Sequence, residues 1–200
     1  YSIELAKTFG IETNYKLLPF KGLYLKSSQK FKKFERHIYP VPDMKQPFLG
    51  IHTTITSDDY LKLGPTALPV FSPENYTLFE GLEFSLFREI LTLQMSLLVN
   101  NEFGFRDLAF REIKYLIKNN ILKKASELTS EELNNINFEW HSPGIRAQLF
   151  NKSTKKLEDD FVLINKDNTF HILNSISPAW TCSFMNAKEM ISIISQKIKN

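Results

Sequence analysis

Between His141 and Asn186 three structural signals follow in direct succession: a turn-and-strand segment from His141 to Gln148, a β-hairpin, and the opening of the last helix. This stretch constrains the fold most. It sets one arginine, Arg146, in an otherwise apolar strand, and it ends a later strand in a polar, proline-containing turn that feeds straight into a helix N-terminus. A guanidinium is always charged and presents a planar fork that matches a carboxylate. A helix start offers unpaired N–H groups and a positive dipole end. Both devices suit an anionic ligand.

The rest of the chain divides by its periodicity. Ser2 to Phe9 has helical spacing and stops at Gly10, a good C-terminal cap. Tyr15 to Lys26 is rich in β-compatible residues that alternate only in part, as expected of a strand bent at Pro19 or Gly22. Lys26, Lys30, Lys32, Lys33 and Arg36 are interleaved with Phe31 and Phe34. Such a run suits an RNA or anionic surface in principle, but its short, turn-like character favours a solvated hairpin loop anchored by two rings. His37 to Tyr39, a proline-rich turn over 40–47, Phe48 to Thr56, and Tyr60 to Pro65 read as further strands, the last as an edge. Period two sets His52 on one face with Gly50 and Thr54, and Leu49, Ile51, Thr53 and Ile55 on the other. A small, polar face beside an apolar one suggests a ligand cavity. A hydrogen-bonded sheet histidine without chemistry fits the same pattern.

From Glu80 to about Asn137 the period becomes 3.6, with Phe84, Phe87, Leu91 and Met95 on one stripe and Phe105, Leu108, Phe110, Tyr115 and Leu116 on later ones. Thr129 to Glu132 reads as the opening of a further helical turn. Strand character returns at Gly144–Phe150, Asp160–Ile164 and Thr169–Leu173, with a tight turn at Lys166–Asn168. A helix then begins at Trp180 or Thr181, capped by Ser177 or Thr181, and repeats Phe184, Ala187, Met190, Ile191, Ile194 and Ile198 at three and four. The expected class is therefore α+β: a mixed, mostly antiparallel sheet with helical cover, followed by a C-terminal hairpin and helix.

Several residue blocks also carry a resemblance. Gly144 to Gln148, Asp159 to Phe161, His171 to Asn174 and Ser177 to Ala179 resemble the C-terminal part of the L-2-hydroxyglutarate dehydrogenases (oxidases), within the FAD-dependent D-amino-acid-oxidase-like superfamily. Pro19 to Gly22, Tyr39 to Asp43, Pro47 to His52 and Gly64-Pro65 resemble the same family in the same order. The likeness implies residues 1–14 as the end of an FAD-binding domain, 15–138 as a substrate domain, and 139–200 as a flavin-facing segment of the FAD-binding domain. It implies oxidation of L-2-hydroxyglutarate or a related 2-hydroxy acid by hydride transfer to flavin. In that scheme Arg146 anchors the substrate carboxylate, with Gln148 and Tyr39 in support, and His52 or His171 is the base. His52 is favoured, with His171 orienting the flavin loop. Ser177, Pro178, Ala179, Trp180 and Thr181 would lie at the flavin's pyrimidine edge.

The resemblance has departures. None of the seven glycines forms a Gly-x-Gly-x-x-Gly turn, so FAD is expected to need an upstream FAD-binding domain as partner and not to be retained by this chain alone. Leu23 stands where the family often has an acid, Ile55 where an arginine is common, and Trp180 where a small residue is usual. The competing class is a non-catalytic partner subunit, or a fragment of a related amino-acid-oxidase-like enzyme.

Composition narrows the remaining classes. A net charge of +3, with 25 cationic and 22 anionic side chains interspersed, gives no electrostatic case for nucleic acid. One cysteine, Cys182, excludes an internal disulfide framework and fits a reducing, cytoplasmic setting, with any membrane association peripheral and made through the electron acceptor. No apolar run approaches the ~20 residues of a transmembrane helix. The scattered His37, His52, His141 and His171 give no metal-ligand spacing, and no Gly-x-Ser-x-Gly elbow occurs.

Overall fold

The computed structural model describes residues 1–42, 48–77, 81, 83–175 and 178–198. Their elements in chain order are α1 (Ser2–Thr8), β1 (Tyr15–Lys30), β2 (His52–Ile55), β3 (Tyr60–Gly64), β4 (Leu68–Pro69), α2 (Phe84–Asn100), α3 (Phe105–Ile113), α4 (Lys118–Thr129), β5 (Phe138–Asn151), β6 (Lys156–Leu157), β7 (Val162–Lys166), β8 (Thr169–Asn174), α5 (Pro178–Thr181) and α6 (Ser183–Ile198). The class is mixed α and β, with antiparallel pairing. Two compact units result, one of Leu18–Ala147 and one joining Tyr1–Leu17 to Gln148–Asn200.

The larger unit is built on strands in the order β2-β3-β1-β5, with β4 also on β1. β3 pairs antiparallel with β1 (Leu25↔Leu63, Lys26↔Lys62) and with β2 (His52↔Gly64, Thr53↔Leu63, Thr54↔Lys62). Facing residues share a sheet side, so Leu25, Leu61, Leu63 and Thr53 point together. Leu25, Leu61 and Leu63 bury against Ile121, Leu122 and Ala125 of α4, in one cluster with Ile51, Leu133 and Phe138. Each such aliphatic or aromatic side chain contributes roughly 1.5–3 kcal/mol on leaving water. Contrary to the sequence reading, β3 is an interior strand. Its two neighbours satisfy both backbone edges, and the outer side of β2 is bridged by Ile38, whose N–H donates to Thr53 O at 3.0 Å.

The helical region corrects several expectations. In α2 the buried side chains are Ile90, Gln94 and Leu97, whereas Phe84 and Met95 are exposed. So many positions of this helix are apolar that spacing does not single out one face. The decisive residue is polar, since the Gln94 amide donates to Val70 O at 2.8 Å and is thereby satisfied inside. Thr129, expected to open a helical turn, ends α4 instead. Ser130 adopts φ 56°, a left-handed stop, and the Ser126 hydroxyl accepts from Leu133 N–H at 3.1 Å. The turn expected ahead of the Gly144–Phe150 strand is absent too, because His141–Gln148 lies wholly within the long strand β5. Phe110 and Leu116, also assigned to apolar stripes, are exposed.

One charge is structural. Glu112 of α3 is buried, and its Oε2 accepts from the Ala67 backbone N–H at 2.7 Å. Glu112→Ala would leave that N–H unpaired in the interior, and a loss of about 2 kcal/mol in urea-unfolding stability is expected. A loss under about 0.5 kcal/mol would show the carboxylate to be dispensable.

In the smaller unit, Ile3 and Ala6 of α1 pack with Ile11, Leu149 and Leu173. The α1 helix ends at Gly10, whose φ of 69° favours glycine. Its carbonyl accepts from Lys166 Nζ at 2.7 Å, and the Ser2 hydroxyl donates to Leu173 O at 2.9 Å. β7 and β8 form the expected hairpin, turning at Asp167 with φ 51°. The stripe assigned to the terminal helix is not a buried one: Phe184 and Ile191 are exposed, as is Trp180 of α5. Ser177 lies outside the described residues, and Pro178 takes the first helical position, where its missing N–H is no loss.

Candidate functional site

The side of the β2-β3-β1 sheet opposite α4 carries His52, Thr54, Lys62 and Gly64 by register, with Tyr24 and Lys26 of β1. Its geometry begins at the Ile38–Thr53 bridge. That pairing sets Tyr39 beside His52, and the two rings lie 4.4 Å apart, tilted by 31°. His37 flanks Tyr39 edge-on at 6.4 Å, and its Nδ1 accepts from Ile55 N–H at 3.0 Å.

The His52 ring has a fixed tautomer. Nδ1 lies 3.1 Å from the Gly50 carbonyl oxygen, which can only accept, so Nδ1 carries the proton and Nε2 the lone pair. Burial lowers the pKa of this half-buried imidazole below its ordinary 6.5; the Gly50 carbonyl opposes the shift and nearby His37 adds to it. The ring is therefore neutral at pH 7, with an accepting nitrogen.

Arg146, on β5, lies with its guanidinium carbon 5.3 Å from the centre of the Phe48 ring. Phe48 packs edge-on against Phe20 at 4.6 Å, and Phe20 meets Phe105 of α3 at 6.4 Å. Among the described residues Arg146 makes no ion pair, so the structural pairing that competes with an anchoring role is not observed. Its side chain remains exposed, while the protein packed around it disfavours the charged form and lowers its pKa. Phe48 and His52 are four residues apart, so their Cα atoms are separated by no more than about 14 Å. The Tyr39–His52 pair and the Phe48–Arg146 pair thus sit at the two ends of one short segment. Phe48 was missed by sequence reasoning, because nothing in its spacing marks a ring that will lie under a cation.

The other candidates belong to the smaller unit. His171 is buried, its ring 5.0 Å from that of Phe9. The Thr169 hydroxyl donates its one proton to Lys166 O at 2.8 Å, so at 3.1 Å it can only accept from His171 Nε2–H. Gln148 is buried too, and its amide donates to the Glu158 carbonyl. Asn174, at the end of β8, donates from its Nδ2 to Asp160 O at 2.7 Å, fixing the strand that leads toward α5. There Ala179 is half-buried, while Trp180 and Thr181 are exposed. Thr181 Oγ1 lies 4.0 Å from Cys182 Sγ.

Three of the five cations of the basic run are paired. Lys26 pairs with Asp58 at 3.2 Å, Lys30 with Asp59 at 3.8 Å, and Lys33 with Glu131. Phe31 and Phe34 meet edge-on at 4.9 Å and pack against the α4 core. Among the described residues no three His, Cys, Asp or Glu side chains are grouped to hold a metal, and no helix is long and apolar enough to cross a membrane.

Comparison with known proteins supplies a context for this arrangement. No family model matches the chain. It is 29% identical over 192 residues to an L-2-hydroxyglutarate dehydrogenase of Escherichia coli (strain K12), which covers 94% of this chain and 44% of the relative. It is 30% identical over 197 residues to the mitochondrial L-2-hydroxyglutarate dehydrogenase of Caenorhabditis elegans, covering 96% of this chain and 45% of that protein. The likeness to the Bos taurus mitochondrial protein of the same name is 27% over 208 residues, 100% of this chain and 43% of the relative. The chain therefore spans less than half the length of the curated relatives it matches. The resemblance carried by its motif blocks extends along nearly all of its own length.

Proposed function

We propose, on the premise that this chain is a relative of the L-2-hydroxyglutarate dehydrogenases, that it is the substrate-binding part of an FAD-dependent enzyme oxidising L-2-hydroxyglutarate, or a related 2-hydroxy acid, to the 2-oxo acid. FAD, if held beside this site, would supply the redox chemistry as hydride acceptor. The residues of this chain bind the acid and move its proton. The Arg146 fork holds the C1 carboxylate through paired N–H donors. His52 Nε2 accepts the C2 hydroxyl proton, a role open only to a neutral imidazole with that nitrogen bare. The Tyr39 ring fixes the imidazole plane and offers a hydroxyl to the acid. His171, Gln148 and Asn174 hold the hairpin that leads to Pro178–Thr181.

One observation carries this reading. A single sheet unit holds both an imidazole whose tautomer leaves a free acceptor nitrogen and a guanidinium that is in no ion pair among the described residues. A proton acceptor and an unmatched cation are what a 2-hydroxy acid requires.

The fit to the cofactor is partial. The seven glycines lie after α1, inside β1 and β5, before β2, at the end of β3, in the loop before α2 and at the start of α3. None lies in a strand–turn–helix cradle of the kind that receives a pyrophosphate. The short helix Pro178–Thr181, with Trp180 and Thr181 exposed, would suit one edge of a flavin through its backbone N–H groups. FAD titrated into the purified chain, followed by flavin fluorescence, is therefore expected to give no saturable binding below micromolar concentration. Saturable sub-micromolar binding would require a complete cofactor site within residues 1–200 and would overturn this division of labour.

A further inference from the structure

Resting on the 2-hydroxy acid reading, we infer that Lys62, laid across the Tyr24 ring beside His52, holds a second, distal carboxylate of the substrate and so selects a dicarboxylic acid over a monocarboxylic one. The register places Lys62 directly across from Thr54 and two residues from Gly64, which faces His52. Lys62 and His52 are thus diagonal neighbours on one sheet face, at a separation of about 7–8 Å. Gly64 puts no side chain between them.

The Lys62 ammonium lies 3.8 Å from the centre of the Tyr24 ring, a contact that fixes its direction without neutralising it. Among the described residues Lys62 is in no ion pair, although the lysine directly across from it, Lys26, is paired with Asp58. Like charges directly opposed across strands are destabilising. Lys62 is also half-buried, and burial together with Lys26 lowers its pKa. His141 on β5 feels both lysines: burial first, then Lys62 and Lys26, lower its pKa, while Asp58, the partner of Lys26, opposes the shift. A desolvated cation beside another cation, with no carboxylate of its own, is stabilised when an anion arrives. With Arg146 taking C1 and His52 the C2 hydroxyl, a carboxylate at the far end of a short chain is the group that meets Lys62.

The test uses two acids that differ only at that end, L-2-hydroxyglutarate and L-2-hydroxybutyrate, titrated calorimetrically into the full chain and into its Lys62→Gln and Lys62→Arg forms. The unchanged chain is expected to bind the dicarboxylate at least tenfold more tightly. Lys62→Gln should abolish that preference while leaving the affinity for hydroxybutyrate within twofold, and Lys62→Arg should restore most of it. A preference that persists in Lys62→Gln would overturn the assignment of Lys62 and leave the hydroxy-acid site standing. If neither acid binds any form, the proposed function itself fails, and the role of Lys62 fails with it.

Discussion

On the proposed function, replacement of His52 by alanine is expected to lower kcat of the enzyme assembled with its flavin-binding part by about 10³-fold, with little change in KM, because positioned proton transfer contributes about 10²–10⁴-fold. The imidazole is placed for this by a chain of local causes. The Ile38–Thr53 bridge brings up Tyr39, the Tyr39 ring restrains the His52 plane at 4.4 Å, and Gly50 O holds the proton on Nδ1. The pH dependence has a definite sign. Burial lowers the imidazole pKa below 6.5, so the accepting form persists into more acidic solution than an ordinary histidine allows. The acid limb of kcat/KM should therefore fall below pH 6.5 and should vanish in His52→Ala. A variant with near-normal kcat and an unchanged acid limb would remove His52 from the proton transfer. His171→Ala is expected to behave differently, reducing stability more than proton transfer, since that ring is buried against Phe9 with Nε2–H committed to Thr169.

Arg146→Ala should weaken binding of the hydroxy acid by about 10²-fold or more, read as a rise in KM or as a loss of calorimetric affinity. Truncating one partner of a hydrogen-bonded charge pair that the bound acid buries costs about 2–5 kcal/mol. No compensating ion pair is broken when Arg146 is removed, since it forms none among the described residues. Arg146→Lys should recover only part of the loss, because an ammonium cannot reproduce the two parallel N–H donors of the fork. Phe48 supports the guanidinium face, so Phe48→Leu should give a smaller loss of the same kind, about 0.5–1 kcal/mol. An Arg146→Lys form with unchanged KM and kcat would show that the arginine does not touch the acid.

The strands were legible in part from alternation and β-compatible residues. Tyr15 to Lys26 and Thr169 to Leu173 form strands, of the expected Phe48–Thr56 strand only His52–Ile55 does, and the Lys166–Asn168 turn closes the expected hairpin. Alternation also set His52 and Thr53 on opposite sides, as the buried Thr53 confirms. Strand order was not legible, because β3 becomes interior only when β1 pairs with it across a long stretch of intervening chain. The α2 face was not legible either. Its burial turns on the Gln94 amide reaching Val70 O, a tertiary contact with no local trace. The candidate site divides in the same way. His52 and Arg146 carried signals in residue type and pattern, whereas Phe48 gains its place from contact with the Phe20 ring and Arg146, and Tyr24 and Lys62 theirs from cross-strand neighbours.

The central claim, that this sheet face receives a 2-hydroxy acid through His52, is tested most directly by imidazole-detected ¹H–¹⁵N NMR of the purified chain during titration with L-2-hydroxyglutarate. His52 is assigned from the His52→Gln spectrum. The expected result is a Nδ1–H tautomer at His52 in the free chain and saturable shifts of its Nε2 resonance as the acid is added, with the His171 resonances essentially unmoved. A His52 ring that stays unchanged up to saturating acid, or shifts confined to His171, would contradict the assignment.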